Sequence, residues 1–107
     1  MLIGNTDMHN GNVSFIAEHG RPYVIAPAYD MTTMAFAPRS GGLPESIAAP
    51  TIQADVPNDI WRRAEVLAGE FLGRVRALNG FSPRFGACIT ALENHLNAAS
   101  AVIARLG

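Results

Sequence analysis

Through the second half of the chain apolar residues recur at three- and four-residue steps. One set is Ile60, Ala64, Leu67, Phe71, Val75 and Leu78; the next is Phe85, Cys88, Ile89, Leu92, Leu96, Ala99, Ile103 and Leu106. A period near 3.6 gathers each set on one side of a helix, so the pattern predicts two amphipathic helices, at about 58–79 and 82–106. Asn58 is a candidate N-cap, because its side-chain oxygen can accept from an amide of the first turn. Asn79-Gly80 stops the first pattern. Ser82-Pro83 supplies the second start, a hydroxyl cap followed by a residue whose missing N–H is harmless at the first helical position. Two helices with so short a joint form an antiparallel pair.

The first half reads differently. Residues 13–16 and 23–25 are short runs of β-branched and aromatic residues, separated by Glu18-His19-Gly20-Arg21-Pro22. Glycine and proline between two such runs predict a β-hairpin, over 13–26. Trp61 and Phe81 are expected to anchor the helical pair on this hairpin, or to cap the helix starts. Residues 31–57 hold Pro38, Pro44, Pro50 and Pro57, with Ser40-Gly41-Gly42 between them. Proline removes a donor and fixes φ, so this stretch is expected to be extended and without a long regular element. A segment of that length is more often functional than idle, and Met34, Phe36, Leu43 and Ile47 predict that it packs on something. Together these readings give one α+β domain over 1–107.

Composition narrows the classes. At 107 residues, 49% hydrophobic and 16% charged, the chain has enough apolar surface to fold but is short of a two-lobed nucleotide-dependent enzyme. A net charge of −1, with no basic run, gives no footprint for direct nucleic-acid binding or for an anionic membrane. The lone Cys88 cannot form an intrachain disulfide, and it sits on the apolar side of the second helix as an inert core thiol. With no apolar signal segment after Met1, the expected compartment is the reducing cytoplasm. No apolar run approaches the roughly 20 residues of a membrane span.

The candidate chemistry lies in Asn5-Thr6-Asp7-Met8-His9-Asn10-Gly11-Asn12 and in Tyr29-Asp30. Phosphoryl transfer needs a carboxylate to take the proton of the attacking hydroxyl, and oxygen ligands to hold Mg²⁺ on the phosphates. Asp7 precedes Asn12 by five residues, the separation between base and metal-binding Asn in the kinase catalytic loop. Asp30 follows the next hairpin, as the second metal ligand of kinases does. Taken alone, the first cluster is also what an Asx-rich turn before a strand looks like. An EF-hand is excluded, because aligning Gly11 with the sixth loop position puts Thr6, Met8 and Ala17 where carboxylates are required. His9, His19 and His95 have no spacing that would complete a zinc site. Arg62, Arg63, Arg74 and Arg76 read as a solvated helix face.

Residues 2–15 resemble the catalytic loop of HipA-family serine/threonine kinases, D-x-H-x-x-N followed by a Ser-containing strand. Ala26-Pro27-Ala28-Tyr29-Asp30-Met31 is similar to that family's P-x-Y-D segment. The resemblance implies a fragment of a kinase-like C-lobe with Asp7 as catalytic base and Asn12 and Asp30 as Mg²⁺ ligands. His9, Asn12 and Asp30 would line the cofactor site, with His9 organising the loop. It implies Mg²⁺ and ATP as cofactors, and residues 31–57 as an activation and substrate-docking segment. It also implies a bacterial toxin–antitoxin setting, with a DNA-binding antitoxin as partner and a protein substrate such as an aminoacyl-tRNA synthetase. The family's N-terminal region, with its nucleotide-contacting lysine and glycine-rich loop, has no counterpart here, so the fragment is expected to be inactive by itself. Two alternatives stand beside this reading. One is a non-catalytic interaction module, homo-oligomeric through its helices; the other is an unrelated Mg²⁺-dependent phosphate-handling enzyme.

Overall fold

A computed structural model describes residues 2–5, 13–18, 20–29, 32–33, 36 and 49–106. The chain is α+β. Two short strands, β1 (Phe15–Ile16) and β2 (Val24–Ile25), precede two helices, α1 (Asn58–Ala77) and α2 (Gly86–Ile103). The strands pair antiparallel, with Phe15 opposite Ile25 and Ile16 opposite Val24. One more bond, from the Ala26 N–H to the Ser14 carbonyl at 2.8 Å, continues the ladder. The connection turns at Gly20, whose φ of +73° is open to glycine at little cost. Beside it the Arg21 guanidinium lies 5.9 Å from the centre of the Tyr23 ring.

Helix α1 starts one residue earlier than a capping Asn58 would place it. Asn58 is the first helical residue, and the cap position is Pro57, with φ −55° and ψ 143° and no side-chain cap bond. The Pro57 carbonyl instead accepts from the amides of Ile60 (3.1 Å) and Trp61 (3.3 Å). The helix ends at Ala77, where Leu78 turns extended ahead of Asn79-Gly80. Ser82 caps the next element through its hydroxyl, which accepts from the Arg84 amide at 3.1 Å. That element is a 3₁₀ turn, Pro83–Phe85, which leads directly into α2.

The two helices are antiparallel, as two contacts at opposite ends require. At one end the Arg62 guanidinium donates to the Leu106 carbonyl at 3.0 Å; at the other Arg76 pairs with Glu93 at 2.6 Å. These two arginines therefore tie the helices together instead of only solvating α1. Leu92, Leu96, Ala99 and Ile103 of α2 are buried, as the spacing predicts. On α1 the buried face is displaced by about one position from the predicted set. Trp61, Ala68 and Leu72 are buried, whereas Ile60, Leu67 and Leu78 are 49%, 58% and 60% exposed. The apolar arc of α1 is broad, running from Leu67 and Ile60 through Phe71 and Ala68 to Trp61 and Leu72, so periodicity alone did not fix which part would meet α2.

Leu2 completes this core, with Ile3, Ile52 and Val56 packed against it. Trp61 is 4% exposed, and its indole N–H donates to the Gln53 carbonyl at 3.1 Å. It thus anchors the start of α1 to the segment before it, and not to the strands. Phe81 is 43% exposed and stacks on Phe85, with centroids 4.1 Å apart, so it too leaves the strands alone. Among the described residues neither strand contacts either helix. The apolar side chains of the two strands, Phe15, Ile16, Val24 and Ile25, are 42% to 66% exposed. Of the apolar residues expected to pack within 31–57, Phe36 is buried and meets the His95 ring edge-on at 5.6 Å. Met34, Leu43 and Ile47 lie outside the described residues.

Candidate functional site

Asp7, His9, Asn12 and Asp30 lie outside the described residues, so the site is defined here by the chain on either side of them. The lead-in is held by the helical core. Leu2 and Gly4 are buried, and Gly4 adopts φ +73°, a conformation that favours glycine just before the polar cluster. Leu2, Ile3 and Asn5 line a mainly apolar cavity of about 330 Å³, together with Trp61, Ala64, Leu67, Ala68 and Phe71 of α1. The lead-in to Asp7 is therefore seated on α1.

The exit is held by the hairpin. Val13 and Ser14 run into β1, and residues 26–29 leave β2 beside them, because antiparallel pairing returns the chain to where it started. The Ala26–Ser14 backbone bond fixes that return. Beyond it the Ser14 hydroxyl stands 3.5 Å from the Tyr29 hydroxyl, an exposed contact at the edge of hydrogen-bonding range. Ser14 is two residues past Asn12, and Tyr29 is one residue before Asp30. The contact thus joins the flanks of the two polar clusters that the sequence separates by a hairpin.

The residue types of the expected ligand pair suit a hard cation: the Asn12 amide oxygen and the Asp30 carboxylate are oxygen ligands of the kind Mg²⁺ takes, with water filling further positions. Softer metals have no competing site among the described residues, where no group of three or more His, Cys, Asp or Glu side chains gathers. Cys88 is half-buried on α2. His95 was not singled out by the sequence pattern, yet it is a buried member of the core with Phe36 on its ring. Its position one residue from Leu96, on the buried side of α2, was the available signal.

Fold and flanks define an α+β domain in which a polar loop and a short hairpin precede a helical pair. The chain matches the HipA-like C-terminal domain family over residues 1–98, and it belongs to that family. Toxin YjjJ of Escherichia coli (strain K12) is 31% identical to it over 107 residues, which are 99% of this chain and 24% of the toxin. The chain therefore spans about a quarter of the length of that relative. No solved structure matches it. No helix among the described residues is long and apolar enough to cross a membrane.

Proposed function

We propose that this chain is the catalytic-loop portion of a HipA-type toxin that phosphorylates a protein serine or threonine with Mg²⁺-ATP. The observation that carries the reading is the meeting of Ser14 and Tyr29, which draws together the flanks of the Asp7–Asn12 loop and of Asp30. Family membership supports it. In the proposed reaction the Asp7 carboxylate accepts the hydroxyl proton of the substrate as its oxygen attacks the γ-phosphorus of ATP. The bond from that phosphorus to the bridging oxygen breaks, and ADP leaves. Asn12 and Asp30 would hold Mg²⁺, which offsets the phosphate charge. His9 organises the loop. The chain contains no lysine, so the nucleotide-contacting lysine of such a kinase would come from polypeptide beyond residues 1–107. A DNA-binding antitoxin and a translation enzyme as substrate belong to the same proposal.

The test is phosphotransfer from labelled ATP by these residues joined to a nucleotide-binding region of the same family. Asp7→Asn is expected to lower the rate by at least about 100-fold, the scale of a lost proton acceptor, with folding unchanged by circular dichroism. Phosphotransfer undiminished in that variant rejects the assignment. A second reading, a non-catalytic interaction module, is favoured by the exposed apolar side chains of the hairpin and of α1. It predicts no ATP binding by residues 1–107 in calorimetry, and partner binding that survives Asp7→Asn.

A further inference from the structure

The side of α1 turned away from α2 carries Asp59, Arg63, Val66, Leu67, Glu70 and Arg74, all exposed. Val66 and Leu67 are 62% and 58% exposed, high for large apolar residues on a packed helix. The ion pair found among the described residues is Arg76 with Glu93, so among those residues none of these four charges meets an opposite charge. We propose that this face binds a second copy of the same chain. The two α1 helices run antiparallel about a two-fold axis beside the Val66–Leu67 peptide, because the charges are complementary to their own reversal about that point.

The register follows from counting. Arg63 lies three and a half residues before the axis and Glu70 three and a half after it, about 5 Å either way at the helical rise. A two-fold rotation sets Arg63 of each chain opposite Glu70 of the other. Asp59 and Arg74 are seven and a half residues out, about 11 Å, and meet in the same manner. Four opposite-charge pairs result. A parallel, in-register arrangement would instead oppose like to like, at a cost. Positions on a helix advance by about 100° per residue, so Val66 and Leu67 flank the charged centre on opposite sides. Under the rotation each meets its own counterpart, covering the two most central pairs with apolar surface. The two-fold, self-complementary contact is the commonest form of protein association. One helix face against its copy is at the small end of stable interfaces, so the dimer is expected to be reversible.

Sedimentation velocity over a concentration series tests this with the chain as it stands. The parent should show a monomer–dimer equilibrium that weakens with added salt. Glu70→Arg, which opposes arginine to arginine twice, should raise the dissociation constant at least about tenfold, and Arg63→Glu should do likewise. The double variant Arg63→Glu/Glu70→Arg restores opposite charges across the axis and should return to within about threefold of the parent. Circular dichroism of all four proteins separates lost association from lost folding, and recovery in the double variant is not explained by misfolding. Association unchanged by Glu70→Arg overturns the proposal. So does failure of the double variant to recover, a dimer abolished by Val24→Thr/Ile25→Thr instead, or a parent monomeric at every concentration.

Discussion

Trp61 shows how one side chain binds three segments. Its ring is buried beside Leu2 in the core, it belongs to the first turn of α1, and its N–H reaches back to the Gln53 carbonyl. Trp61→Phe keeps much of the apolar area but leaves that carbonyl without the indole donor, a loss of about 1 kcal/mol. Ile103 is 1% exposed on α2, and truncation to alanine removes buried methyl groups where neighbours cannot close the gap. Ile103→Ala should destabilise by about 2–5 kcal/mol, read as a lower midpoint in urea with little change in slope. Ser82→Ala removes the hydroxyl that caps the 3₁₀ turn and should cost about 1 kcal/mol by the same measurement. The cap at Ser82 could be read from sequence, since the hydroxyl and the following proline declare it together. The α1 cap could not, because Asn58 and Pro57 are adjacent and each can begin a helix by a different physical means.

At the scale of elements, the helical pair and the hairpin obey different constraints. The α2 stripe was legible because its large apolar residues, Ile89, Leu92, Leu96 and Ile103, fall on one side, opposite alanines and the polar Thr90, Asn94 and Asn97. On α1 the sequence offers Ile60 and Leu67 as readily as Trp61 and Ala68, and the choice is made by packing against α2 and Leu2. The interhelical pair Arg76–Glu93 is nearly half exposed on both sides, at 47% and 41%, so screening reduces its value. A double-mutant cycle with Arg76→Ala and Glu93→Ala should return a coupling below about 1 kcal/mol. The hairpin was legible as well, but its docking was not. Phe15, Val24 and Ile25 advertise a buried surface in composition while the structure leaves them open. A two-stranded ribbon of this kind is marginal without a covering layer. The polar clusters at 5–12 and at 30 were found by residue type and spacing. Proximity of their flanks needed the register of Phe15 with Ile25.

Taken whole, the molecule exposes more than its mass requires. Its accessible surface is 7926 Å², against roughly 5,800 Å² for a folded monomer of its mass. Its radius of gyration is 15.9 Å, against about 13 Å for a compact chain of its length. The open side chains of the hairpin, Phe15, Val24 and Ile25, contribute to that surface. Apolar surface in contiguous patches attracts dyes and other chains. Replacing Val24 and Ile25 by threonine should therefore lower the fluorescence of a bound hydrophobic dye while the helical circular dichroism signal stays the same. Dye binding unchanged by that variant would assign the open surface elsewhere.

The position of Trp61 gives this division an optical signature. It is the protein's single tryptophan, and it sits inside the helical unit, while Tyr23 and Tyr29 lie on and just after the hairpin. Emission excited at the red edge of aromatic absorption therefore comes from the helical unit alone, and tyrosine emission reports on the hairpin. One sample, read at two wavelengths, distinguishes a ribbon that loosens independently from a chain that unfolds as one.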